Sequence, residues 1–96
     1  MISKIHTSNH RIIVSLCDED ILGKVFEENE FVLDLSSGFY KGEKRSEKEL
    51  LSYIKNSYII NAVGKKSTRF LLNNKIIKEE SLSHIRDVPF VQLIFS

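Results

Sequence analysis

The stretch Tyr58–Phe70, YIINAVGKKSTRF, constrains the fold of this chain more than any other. Apolar and β-branched residues run from Tyr58 through Val63, and the pattern breaks at Gly64. Lys65, Lys66, Ser67, Thr68 and Arg69 then lead into the apolar run Phe70-Leu71-Leu72. That order predicts a strand, a glycine turn and the opening of a helix. At such a junction unpaired backbone N–H groups, two lysines and two hydroxyls meet the positive end of a helix dipole. An anion is favoured there.

The rest of the chain supplies further strands and one well-marked helix. Residues 2–5 and 11–17 read as two strands joined by the polar turn Thr7-Ser8-Asn9-His10, with the run Ile12-Ile13-Val14 suited to a centre covered on both faces. Asp18 is placed to cap a short helix carrying Ile21 and Leu22, which Gly23 ends. Residues 31–35 form a third strand. Ser46 and Glu49 make a capping box ahead of Leu50, Leu51 and Ile54, predicting a helix over 47–55. Residues 57–63 form a fourth strand and 66–73 a second helix, stopped by Asn73-Asn74, since Asn tolerates the left-handed conformation. A single helical turn over Glu79–His84 and a last strand over 90–95 follow, with Pro89 at the strand's start. The expected fold is α+β, a two-layer sandwich. Two or three helices lie on one face of a mixed four- to five-stranded sheet, in one compact domain over residues 1–96. An open α/β arrangement is the alternative.

Charge is distributed unevenly about a small total. Residues 1–49 hold seven basic and ten acidic side chains, and residues 50–96 hold seven and three, so the halves carry −3 and +4. Between Leu50 and Lys78 there is no acid, while Lys55, Lys65, Lys66, Arg69, Lys75 and Lys78 all fall there. Such asymmetry is a hint of nucleic-acid or membrane contact. The alternative is a solvated outer face that balances the acidic half. Phe39-Tyr40, between Gly38 and Gly42 and followed by Lys41, Lys44 and Arg45, is suited to stacking on unpaired bases. On the competing reading Phe39 plugs the core edge and Tyr40 shields it.

Several chemistries are disfavoured. Gly64-Lys65-Lys66-Ser67 departs from a phosphate-binding P-loop, because Ile59 stands where the first glycine belongs and Ser67 comes one place late. Asp18, Glu19 and Asp20 lack the loop spacing of a calcium site, and one cysteine with three scattered histidines matches no zinc spacing. Cys17, at the end of an apolar strand, reads as a small core residue rather than a nucleophile served by His6, His10 or His84. The expectation is no catalytic residue, no metal and no cofactor. A single cysteine fits a reducing cytosol, and neither a membrane span nor a signal-peptide pattern is present.

The blocks CDEDILGK, GFYKGE, NAVGKK and VPFVQ, in that order and spacing between Cys17 and Gln92, resemble the small archaeal family known as domain of unknown function 424. The resemblance implies a compact α+β domain and, through the company its members keep, an association with translation. Where that family tends to carry a His after the proline, this chain has Phe90. The resulting expectation is a cytoplasmic, translation-associated protein that binds ribosomal RNA or a ribosomal subunit, with ribosomal proteins as further partners. Its candidate contacts are Lys65, Lys66, Ser67, Arg69, Lys75, Phe39 and Tyr40. A protein–protein adaptor, and a small enzyme built on Cys17 and its neighbouring acids, are the alternatives. Neither a small-molecule substrate nor a membrane is expected.

Overall fold

The structure, a computed structural model, is described for residues 1–95. Strands β1 (Ile2–Ser8) and β2 (Arg11–Cys17) form a hairpin, closed by Asn9 and His10 at φ 50° and 65°. Two consecutive left-handed residues match the right-handed twist of the flanking strands, and Asn is among the residues that tolerate them best. Two further strands, β3 (Val25–Glu28) and β4 (Phe31–Asp34), pair only with each other. Helix α1 (Glu47–Lys55) begins as its capping signal predicts, with the Ser46 hydroxyl accepting from the Glu49 N–H at 3.1 Å. Strand β5 (Ser57–Val63) follows, then helix α2 (Lys65–Asn73), and finally β6 (Ser83–Ile85) and β7 (Val88–Ile94).

The main sheet has the order β1-β2-β5-β7-β6. Only β2 and β5 run parallel, and the long connection that parallel pairing requires is supplied by the β3–β4 ribbon, a loop and α1. Both helices cover one face: Leu50 and Ile54 of α1 and Phe70 and Leu71 of α2 are buried on Val14, Leu16, Ile60, Ala62 and Val91. The opposite face is capped at one end by the ribbon. There Phe26, Leu33 and the loop residues Leu35 and Tyr40 pack on Cys17, Val63 and Phe90, one row across the sheet. The mixed five-stranded sheet with helices on one face is the α+β sandwich expected.

Four local expectations are corrected. The strand over 31–35 stands outside the main sheet, paired with β3. The turn over Glu79–His84 is a single 3-10 turn, Glu79–Ser81, that runs straight into β6. Asp18 does precede a 3-10 turn, Glu19–Ile21, but its side chain makes no bond there. Lastly, Asn74 at the C-terminus of α2 is right-handed at φ −95°, and Lys75 takes the left-handed position at φ 59°. The Asn74 amide instead donates to the Phe70 carbonyl at 2.8 Å.

Candidate nucleic-acid interface

The junction at Gly64 is built as the sequence predicts, a strand and then a helix start, but its anion is already present. Asp18, at the end of β2 and 5% exposed, accepts from the Lys66 N–H at 2.9 Å, the Ser67 N–H at 2.7 Å and the Ser67 hydroxyl at 2.8 Å. The parallel pairing of β2 with β5 brings this about, because Cys17 stands beside Val63 and delivers the next residue to the helix start. Gly64 completes the arrangement at φ 109°, where a Cβ would lie 2.6 Å from both Asp18 oxygens. The free helix terminus inferred from the sequence is therefore satisfied by the chain's own carboxylate.

Ser67 is consequently not a surface residue. It is fully buried, and the corner it was expected to offer to a phosphate belongs to the interior. Thr68 is buried too, its hydroxyl donating to the Gly64 carbonyl at 2.8 Å.

The cations of α2 face outward. At about 100° per residue, Lys65, Arg69 and Lys66 span an arc of roughly 100° opposite the buried Ser67, Thr68, Phe70 and Leu71. Lys65 and Arg69 line one groove with Leu72, Leu82, His84 and the acids Glu79 and Asp87, whereas Lys66 does not reach it. Lys75 lies past the far end of the helix, roughly 15 Å along the axis from Lys65. Lys55, Lys65, Lys66, Arg69, Lys75 and Lys78 are all exposed. Among the described residues the only ion pairs are Lys44 with Glu19 and Arg45 with Glu43, so none of the six enters an ion pair.

Phe39 and Tyr40 form a separate feature on the other face of the sheet. Phe39 stacks on His6, with centroids 4.5 Å apart and planes 12° from parallel, and meets the Tyr40 ring edge-on at 5.1 Å. Its carbonyl accepts from the Ser15 hydroxyl and from His6 Nε2, both at 3.0 Å. Tyr40, not Phe39, is the ring that joins the core, and burial raises its hydroxyl pKa. The loop is thus fixed on the first two strands, away from α2, and the two sets of sequence candidates do not converge on one surface.

A cleft of about 230 Å³ opens at the carboxyl ends of β2 and β5, lined by Asp18, Asp20, Lys24, Phe26, Lys65 and Asp87 among others. Cys17 does not line it. The thiol is fully buried, and burial, followed by the neighbouring Asp18 and Asp20 charges, pushes its pKa up to about 11. That is the opposite of what a nucleophile needs. Among the described residues no group of three or more His, Cys, Asp or Glu is arranged to hold a metal ion, and no helix is long and apolar enough to cross a membrane.

Comparison with known proteins adds a family and a fold. Residues 5–95 match the model of a family described as "Protein of unknown function (DUF424)". An uncharacterized conserved protein from Methanopyrus kandleri has a similar crystal structure. The TM-score is 0.82 at 24% identity, over 96% of this chain and 88% of that one, and this likeness is one of fold. No curated protein matches.

Proposed function

The chain belongs to the DUF424 family, and from that premise we propose that it is a cytoplasmic binding protein of the translation apparatus. Its partner is ribosomal RNA or a ribosomal subunit, engaged through the exposed cations of α2 rather than through the helix terminus. One observation carries the reading: six exposed cations from an acid-free span have no ion-pair partner among the described residues. Glu79 and Asp87 share a groove with Lys65 and Arg69, but neither is drawn into an ion pair with them. Unpaired surface cations repel one another and are kept at some electrostatic cost. A polyanion relieves that repulsion and releases its own counterions.

The contact is one of charge. Lys65, Lys66 and Arg69 share a face within little more than one turn of helix, so adjacent phosphates can be met without base readout. Lys75 and Lys78 extend the positive surface beyond the helix end. Ser67 has no part in it, and Phe39 with Tyr40 would require a second, independent contact.

The test is sedimentation of the protein in a cell extract at low and high salt. Cosedimentation with a ribosomal subunit at low salt, lost at high salt, is expected. Replacing Lys65, Lys66 and Arg69 together with Ala should leave folding intact, weaken cosedimentation and reduce the salt slope by up to about three contacts. A wild-type protein that sediments free at low salt, or a triple variant that binds as before, overturns the proposal.

A further inference from the structure

The acids are as unevenly placed as the bases, and they surround an apolar surface. Residues 18–34 contain seven Asp and Glu against one lysine, Lys24. Asp18 is consumed at the α2 N-terminus, and Glu19 is paired with Lys44. Glu27, Glu28, Glu30 and Asp34 sit on or at the tip of the β3–β4 ribbon and enter no ion pair among the described residues. The cation fixed nearest them is Arg86, which ties the tip to the β6–β7 turn. Its N–H donates to the Glu28 carboxylate at 2.6 Å and its Nε to the Glu27 carbonyl at 2.9 Å.

The ribbon also concentrates exposed apolar side chains. Phe26 and Leu33 point into the second core cluster, so alternation turns Val25, Glu27, Val32 and Asp34 outward. Val25 stands opposite Asp34 and Glu27 opposite Val32, placing two apolar and two acidic groups on opposite diagonals. Val25 is 50% exposed, Val32 60% and Phe31 68%. Phe31 stands at the mouth of a cleft of about 250 Å³, lined also by Glu28, His84, Ile85 and Phe90, between the ribbon tip and β6. The edge of β6 is open there. The Pro89 carbonyl accepts from the Gly64 N–H at 2.8 Å, so Pro89 faces β5, and His84 opposite it turns its own N–H and C=O away from β7.

We infer that the β3–β4 ribbon and the cleft beside β6 dock a basic polypeptide segment of another protein, one in which Lys or Arg alternates with apolar residues along a single face. Exposed apolar patches rimmed by polar groups mark interaction sites, and this one is rimmed by four acids with a single cation, Arg86, at the tip. Residues two apart in an extended segment share a face, so a segment in which cations and apolar residues alternate along one face sets its cations against Glu27 and Asp34 and its apolar residues against Val25 and Val32, while Phe31, on the ribbon's other face, is met by a side chain entering the cleft beside β6. RNA does not suit the surface, since its phosphates would face unpaired carboxylates. A two-fold contact with a second copy would bring like charges together. A second copy's α2 offers Lys65, Lys66, Arg69 and Asn73 on its exposed arc, cations without apolar anchors. The surface meets the α2 groove only at His84, and this inference does not depend on the α2 interface.

The probe is a labelled synthetic peptide of repeating Lys-Ser-Leu-Ser, which when extended alternates Lys with Leu on one face, compared with an oligolysine of equal length and a single-stranded RNA oligonucleotide. Binding is read by fluorescence anisotropy and mapped by amide chemical shifts. The alternating peptide should shift residues 25–34 and 83–85 and bind at least about tenfold more tightly than oligolysine. The Phe31→Thr, Val32→Thr double variant should weaken it about tenfold with the amide spectrum elsewhere unchanged, since both side chains are exposed on a strand that accepts Thr. No binding by the peptide, equal binding of oligolysine, shifts mapping elsewhere, an unaffected double variant, or RNA occupying these residues would each overturn the inference.

Discussion

Replacing Asp18 with Ala should unfold much of the margin that holds α2 to the sheet. The carboxylate accepts three hydrogen bonds, from Lys66 N–H at 2.9 Å and from Ser67 N–H and Oγ at 2.7 and 2.8 Å, while itself 5% exposed. Loss of an N-cap side chain costs about 1 kcal/mol. Here the Ser67 amide and hydroxyl are also left buried without an acceptor, at about 1–3 kcal/mol for such a group. Bonds to an ionised acceptor are roughly twice as strong as neutral ones, so the total should reach about 3–5 kcal/mol. That is a large share of the roughly 5–15 kcal/mol typical of whole proteins. Urea denaturation followed by circular dichroism measures it, with the slope of the transition checked for change. The emptied helix start, flanked by Lys65 and Lys66, should then accept a small anion. Sulfate at about ten times its dissociation constant should return roughly 1.4 kcal/mol to the variant beyond what sodium chloride of equal ionic strength gives, and should not do so for the wild type. A loss below about 1 kcal/mol, or sulfate stabilising both proteins alike, would show that the carboxylate is not what satisfies this terminus.

Gly64→Ala should cost about 2–4 kcal/mol, because φ 109° strains any L side chain and its Cβ would press on the Asp18 oxygens. Combined with Asp18→Ala the penalty should be less than additive, whereas Gly38→Ala, with nothing within 4 Å of its Cβ, should be nearly neutral; additive losses in the same urea assay would count against direct contact. Cys17 should react with thiol reagents far more slowly than a free thiol at neutral pH, given burial and a pKa of about 11, and labelling as fast as a free thiol would refute the buried placement. Since its folded pKa is raised from 9.0, the thiol's contribution to stability is fully present below about pH 9 and declines as pH rises towards 11. A urea midpoint that rises over that window, once a Cys17→Ala control is subtracted, would reverse the sign. Ser46→Ala should remove the cap of α1 at about 1 kcal/mol, and an unchanged midpoint would mean that the Glu49 N–H finds another acceptor.

Much of the fold is legible in the sequence because its signals are local. Apolar and β-branched runs bounded by turn residues place β1, β2, β5 and β7, the Ser46–Glu49 spacing starts α1, and Gly64 separates β5 from α2, each within a few residues of the element it defines. The misses fall where local signal is weak. Strand β3 ends in Glu27-Glu28 and β6 is three residues long, and both exist because of what lies beside them. The roles of Phe39 and Tyr40 were exchanged for the same reason, since adjacent rings on a loop carry no mark of which one finds the core. The candidate site divides along this line. Exposure of Lys65, Lys66 and Arg69 follows from helical periodicity, because an apolar arc must turn inward and carry the charges outward. Occupation of the helix terminus does not follow, since a positive helix end attracts a carboxylate of its own chain as readily as a phosphate. Asp18 is 48 residues away from Lys66 along the chain, and parallel pairing of β2 with β5 alone sets it there.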